Sequence, residues 1–507
     1  MISSRRFTGG VLIGWISTFS TIAIGVFMSP FLVHHLGEIG YGVWALVQST
    51  VAYMYFMDLG LRSTVVRFTA QDMARKDYAG VNKVVSAALW IRLWTAFVIL
   101  LVGATLAILL PHLFKVPVEY ATTARVALFI IAAGLSCTLT FSIFTALLAG
   151  MGRFDLLGVL ELAQTTITSL GLVPILLKGH GIIWMAAWQL LVVLSINVIT
   201  AITCIRTYPQ LRVHLRKPEK LLLRALWSVG IYVLIATGAS QLILYTDNVV
   251  VGAFVTAAAV SYYAIAGKMI EYVRQIAVSI LKFFIPLASS FGALSEFDRL
   301  RKLHMRGTQA VLLVTFPIIA ILVVRGHVLL SLWIGDRFAS EATPILQVLG
   351  CAAAFMLASS TTNGITLALD RQRIYAWIIL GEGAANLVCS IFLVRRIGVL
   401  GVAIGTLLPT FVTSVLFWPG YVCRLIHLST MRYLRDAWLK PLLAITPFIA
   451  ANIWAQQHGA PSNLVWFVLQ TIALVPFLIV GALIVFWRDV PSTWRFITRR
   501  QIAVNQS

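Results

Sequence analysis

The chain has 507 residues, 60% of them apolar and only 11% charged, with 39 lysines and arginines against 18 aspartates and glutamates and a formal net charge of +21. A soluble domain carries roughly 25% charged and 45–50% apolar residues, so this composition, with a mean hydropathy of +0.91, excludes a soluble globular or a disordered protein. In a membrane chain a cationic excess is first a topology signal and only then a clue to an anionic partner, so it is mapped along the spans before it is interpreted.

A membrane-crossing helix needs about 20 mostly apolar residues. Fourteen stretches qualify in chain order: 11–33, 41–60, 84–110, 124–149, 156–177, 182–204, 225–245, 249–281, 308–330, 344–369, 374–394, 399–418, 441–454 and 464–487. The eighth is overlong and is expected to open with a short external turn. The thirteenth is short, so the count lies between twelve and fourteen. The expected class is an all-α polytopic membrane protein. With the amino terminus placed in the cytoplasm, 28 of the 39 cations fall on the inner side, seven outside, and four (Arg92, Lys268, Arg274 and Lys282) within spans. That asymmetry places both termini inside. Trp44, Trp184, Trp227, Trp333, Trp418, Trp438, Trp454 and Trp487 lie near span ends, where an amphipathic indole is most stable. The segment Met1–Gly10 is basic, but the apolar run after it is span length, so no cleavable signal is expected. The five cysteines lie in or beside spans, and no disulfide is expected.

The chain repeats at an offset near 220. Leu147–Phe154 and Leu367–Ile374 both close an apolar helix with a basic turn, which sets Arg153 over Arg373, and Leu176–Gly181 matches Leu393–Gly398. A unit of six spans is even, so the two copies run parallel. The expected organisation is a six-helix bundle over 1–204, a basic cytoplasmic linker 205–224, a second six-helix bundle 225–418, two additional helices in 419–487 and a cytoplasmic tail 488–507. The loops are too short for an independent domain, and there is no GxxxxGK[ST], HExxH or CxxC motif. No catalytic residue, metal ligand or cofactor is assigned, and no nucleic-acid partner is expected.

Function must then reside in polar groups inside the bilayer, where an ionisable side chain facing lipid costs several kcal/mol. The densest set is Lys268, Glu271 and Arg274 in the eighth span, with Gln275 one turn beyond Glu271. It reads either as an anion site of net +1 or as a self-neutralised ladder on a buried helix. Arg92 lies nine residues past Lys83, and either snorkels to the inner headgroups or is a second cavity cation. Asp58, at the inner end of the second span, reads as a loop or cap residue or as a cavity carboxylate. Asp247, with Gln241, Tyr245 and Asn248 near the outer end of the seventh span, reads either as an interfacial turn residue or as a polar group within the span. Glu161 and Glu382 lie eight and nine residues past Arg153 and Arg373, each followed by an amide, Gln164 and Asn386. They serve either helix–helix hydrogen bonding or the uptake of a proton or sodium ion by a desolvated carboxylate. The run Ser359–Gly364 is too polar to face lipid.

Several stretches resemble the oligosaccharide flippases of the multidrug/oligosaccharidyl-lipid/polysaccharide exporter superfamily: Ser29-Pro30-Phe31-Leu32, Leu36-Gly37-Glu38-Ile39-Gly40-Tyr41-Gly42-Val43-Trp44, Asp58-Leu59-Gly60-Leu61 and the Leu148–Phe154 turn. The resemblance implies two bundles that open alternately to each side of the bacterial cytoplasmic membrane. It implies an undecaprenyl-pyrophosphate-linked oligosaccharide as cargo, moved from the inner to the outer leaflet for O-antigen, capsule or exopolysaccharide synthesis. Lys268, Arg274 and Arg92 match the expected cationic cavity, and Glu271, Glu161, Glu382 and Asp58 are the candidates for coupling to H+ or Na+. Membrane lipids and the polysaccharide polymerase machinery are the implied partners. The first span lacks the acidic residue frequent in drug exporters, which weakens the alternative of a cation-coupled multidrug antiporter. A membrane-embedded polymerase or ligase is a third reading, disfavoured by the short external loops.

Overall fold

The structure, a computed structural model, describes residues 4–58, 60–213, 220–459 and 461–487, without the side chains of 4–13, 220–233 and 283. The tail 488–507, part of the linker and the Trp227 side chain lie outside the described residues. α1 (Ser4–Tyr53) holds the first span and much of the second, turning at Gly37, whose φ of 71° only glycine adopts readily. A 3-10 turn, Met54–Asp58, interrupts the second span before α2 (Leu61–Ala74) continues it. α3 (Tyr78–Leu113), α4 (Val118–Gly150), α5 (Phe154–Leu177) and α6 (Ile182–Thr207) supply one span each. α7 (Lys220–Phe254), α8 (Ala257–Ala293) and α9 (Phe297–Val324) follow. The expected external turn of the eighth stretch falls at Val255–Thr256, so residues 249–254 belong to α7.

A short α10 (Gly326–Trp333) precedes α11 (Asp336–Ala358) and α12 (Ser360–Ala368), which together form the tenth span, broken at Ser359. α13 (Gln372–Phe411) kinks at Ile397 and Gly398. The π-helical segment Val412–Phe417 leads into α14 (Trp418–Leu425). After α15 (Thr430–Tyr433) a second π segment, Leu434–Leu439, enters α16 (Lys440–His458). α17 (Leu464–Ala473) and α18 (Val475–Phe486) share the last span, divided ahead of Pro476. Twelve helical stretches among the described residues are long and apolar enough to cross a membrane. Gly37 and the Ile397–Gly398 kink each divide one of them, which yields the fourteen expected spans in an all-α, multi-pass membrane protein.

The repeat is visible in turns and in packing. Lys76 and Ser295 both take a left-handed φ, at 59° and 55°, and close equivalent helix ends. In each, the amide bonds the carbonyl three residues back and the next amide bonds five back, the Schellman pattern. Gly152 and Asp370 form the same pair of turns. The buried cluster Val65, Val81, Leu147, Cys204 and Tyr208, shifted by 218 or 219 residues, becomes the buried cluster Phe284, Leu300, Ile365, Val422 and Ile426. The structural offset therefore sets Arg153 over Arg371, two residues from the match suggested by sequence. It also sets Glu382 over Gln164 instead of Glu161.

Contacts divide the chain into two compact units, one of 1–265 with 372–409 and one of 266–371 with 410–507. The first unit thus groups α7, the start of α8 and most of α13 with the first six spans. The indoles also divide. Trp184, Trp454 and Trp487 are exposed, whereas Trp44, Trp333 and Trp418 are buried as packing residues.

Candidate functional site

In the second unit, α8 carries the charged ladder read from the sequence. Arg274 is bidentate on Glu271, with Nε donating to Oε2 at 2.6 Å and Nη2 to Oε1 at 2.7 Å, and Gln275 Nε2 adds a bond to Oε1 at 3.2 Å. The i,i+3 spacing on a helix makes this geometry accessible without backbone adjustment. Glu271 thus neutralises Arg274. Lys268, one turn earlier, is exposed, and its Nζ lies 5.7 Å from the centre of the Tyr272 ring. The two sequence readings apply to different members of the set: the ladder describes Glu271 and Arg274, and the net positive charge is that of Lys268.

In the first unit, Arg92 and Asp58 come together. Arg92 is fully buried, donates from Nη1 to the Met57 carbonyl at 3.2 Å and forms an ion pair with Asp58. A chain that leaves α-geometry at membrane depth frees main-chain carbonyls that must find donors; the Met54–Asp58 turn is such a place, and Arg92 is the donor. It does not snorkel, and Asp58 does not cap α2, whose N-cap is Gly60 at φ 64°.

Glu161 and Glu382 do not share an environment. Glu161 is exposed on α5, and Glu382 is 8% exposed on α13. The offset of 218 explains the difference, since the two residues are not equivalent in the repeat. The equivalent helix pairs are instead joined at matching positions, by Trp188 Nε1 on the Thr168 carbonyl at 3.1 Å in the first copy and by Asn386 Nδ2 on Thr406 Oγ1 at 2.9 Å in the second.

That second junction leads to Asp247, for which the sequence favoured an interfacial turn. Thr406 donates to Asp247 Oδ2 at 2.7 Å, and Tyr263 donates to the same oxygen at 2.5 Å. Asp247 is 4% exposed, Tyr263 is equally buried, and Asp247 Oδ1 and Asn386 Oδ1 have no hydrogen-bond partner. Residues from α7, α8 and α13 thereby enclose a carboxylate, an amide oxygen and a hydroxyl, a set of hard oxygen donors around one buried acid. Beside it, Tyr53 bonds Thr246 Oγ1 at 2.6 Å and Asn248 Nδ2 bonds Ser49 at 2.9 Å, which ties α1 to α7. Asp247 is not an interfacial turn residue, because α7 continues to Phe254. The available signal was the unbroken apolar run Val249-Val250-Val251 after Asn248. The Ser359–Gly364 run faces inward as expected: Ser359 bonds Ser414 at 3.0 Å, and Thr361 and Thr362 meet Thr308 and Tyr433.

Residues 36–343 match the sequence family described as Polysaccharide biosynthesis protein. The chain is 24% identical over 425 residues to the membrane protein EpsK of Bacillus subtilis, covering 80% of this chain and 81% of that one. It is 22% identical over 381 residues to a putative O-antigen transporter of Shigella flexneri, covering 74% and 88%. Among solved structures, the lipid II flippase MurJ in an inward closed conformation superposes with a TM-score of 0.69 at 15% identity, over 94% of this chain and 99% of that one. An inward-facing multidrug resistance transporter of the MATE family superposes at 0.68 and 13% identity, over 82% and 98%. The chain belongs to the polysaccharide biosynthesis protein family and has the fold of the multidrug/oligosaccharidyl-lipid/polysaccharide exporter superfamily.

Proposed function

We propose that the protein is a flippase, not an enzyme, and that it moves an undecaprenyl-pyrophosphate-linked oligosaccharide from the inner to the outer leaflet of a bacterial cytoplasmic membrane, with both termini in the cytoplasm. The observation that carries this reading is the exposed Lys268 beside the neutralised Glu271–Arg274 pair, on a helix of membrane-spanning length and apolarity. A net cation on such a helix is costly against lipid and useful against a pyrophosphate. The similarity to an O-antigen transporter and to a lipid II flippase supports the same cargo class. Exported units would then pass to the polysaccharide polymerase machinery. Transport proceeds by alternating access, and the coupling ion, H+ or Na+, is taken at Asp247 with Thr406 and Asn386; the unpartnered oxygens Asp247 Oδ1 and Asn386 Oδ1 support this assignment. Mass spectrometry of lipid-linked glycans in a deletion strain tests the reading. Accumulation of one undecaprenyl-pyrophosphate-linked oligosaccharide is expected, reversed by the wild-type gene and not by Lys268→Ala. An unchanged glycolipid profile overturns it, and altered drug susceptibility in its place favours the multidrug antiporter.

A further inference from the structure

The π-helical segment Val412–Phe417 and α14 shape a groove in the second unit. It has a volume of about 470 Å3 and is lined by Leu416, Phe417, Gly420, Tyr421, Arg424 and Leu425. Three features set it apart from an ordinary helix surface. First, the Phe417 and Tyr421 rings are nearly parallel and offset, with centres 5.7 Å apart and an interplanar angle of 8°, forming one aromatic shelf. π segments often mark functional positions, because the inserted residue re-aims the side chains that follow it. Second, a Cβ added at Gly420 would have no heavy atom within 4 Å, so the floor of the groove is open. Third, Arg424 stands exposed in the last turn of α14 and makes no ion pair among the described residues, whereas Arg432, Arg435 and Lys440 all share Asp436. The distribution of cations along the chain puts the Arg424 end of this helix on the cytoplasmic side.

We propose that this groove docks the pyrophosphate end of the lipid-linked saccharide as it arrives from the cytoplasmic leaflet. Arg424 engages the phosphates, and the Phe417–Tyr421 shelf lies against the first sugar. This inference rests on the flippase reading above and adds a loading position distinct from Lys268. The chemistry is complementary in each part. A guanidinium makes charge-assisted, bidentate bonds to phosphate. The electron-rich faces of aromatic rings attract the C–H faces of a sugar. Leu416 and Leu425 offer apolar walls to the start of the polyprenyl chain. The six lining residues lie along one helical face, so the depression is open and holds one end of a long substrate without enclosing it.

Equilibrium binding to the purified full-length protein in lipid nanodiscs tests the proposal, with Lys268→Ala as the common background that removes the other pyrophosphate position and as the reference for each variant, undecaprenyl pyrophosphate as probe, and undecaprenol and inorganic pyrophosphate as competitors. Arg424→Ala and Gly420→Trp are each expected to weaken binding of undecaprenyl pyrophosphate by about tenfold or more. Both should keep the melting temperature of that reference; if the tryptophan variant does not fold, Gly420→Leu fills the same space. Binding within about twofold of the reference in either variant overturns the proposal, as does equal competition by undecaprenol. Full competition by inorganic pyrophosphate at equal concentration also overturns it, since the groove would then be a soluble-anion site. Unchanged binding in the variants leaves the flippase reading intact. An unchanged glycolipid profile in the deletion strain defeats that reading whatever the groove binds.

Discussion

Tyr263 donates its hydroxyl to Asp247 Oδ2 across 2.5 Å, joining α8 to α7 in the interior of the first unit. With Thr406 bonding the same oxygen, two helices hold one carboxylate oxygen and leave the other without a partner. Asp247→Asn keeps the shape and removes the charge. It is expected to lower export by about tenfold or more, the scale on which loss of an essential charged group is felt, with little change in melting temperature. Export restored to wild-type level by the asparagine variant, measured as surface polysaccharide in a complemented deletion strain, would remove Asp247 from the coupling step.

The Arg92–Asp58 pair permits a stability test separate from transport. Arg92→Ala leaves Asp58 and the Met57 carbonyl without their donor, at a cost of about 3 kcal/mol. Asp58→Ala leaves a fully buried guanidinium, at a cost of about 3–5 kcal/mol. The double variant should be less destabilised than the sum by about 1–3 kcal/mol. Simple additivity in unfolding of the purified variants would show that the two side chains do not interact.

Two glycines are expected to respond in opposite directions to the same substitution. A Cβ at Gly42 would collide with the Ala257 carbonyl, a main-chain atom that cannot turn aside. Gly42→Ala should cost about 1–3 kcal/mol. Gly420 meets open space, so Gly420→Ala should gain up to about 1 kcal/mol from helix propensity alone. Melting temperatures that fall for both variants would contradict the difference in packing.

His304 is fully buried on α9, stacked on Tyr433 with ring centres 4.4 Å apart, and neither ring nitrogen has a hydrogen-bond partner. Burying an unpartnered polar group costs roughly 1–3 kcal/mol. His304→Phe retains the stacking and removes the cost, so thermal unfolding should occur at an equal or higher temperature. A clear loss of stability would mean that the imidazole has a polar partner in the membrane.

The spans, their order and the repeat were legible in the sequence because each rests on a local signal: twenty apolar residues, a basic turn, a small residue at a helix end. The register of the repeat was not, because apolar text matches itself at several offsets. The Schellman turns at Gly152 and Asp370, and the matched cores around Leu147 and Ile365, fix it at 218 to 219. The pairing of Glu161 with Glu382 fell with that shift of two or three residues, since on a helix it turns a side chain to another face.

The composition determined by itself that the chain lies in a bilayer. The positions of its cations predicted which way it faces, because hydrophobic transfer and loop charge act residue by residue, whatever the neighbours. Only the tertiary structure decided what each buried charge does. Arg92 became the donor for a broken span, and Asp247 the centre of a network drawn from three helices. Such roles depend on groups as far apart in sequence as Asp247 and Thr406, and a hydrogen bond with its reach of about 3 Å exists only after packing has brought them together.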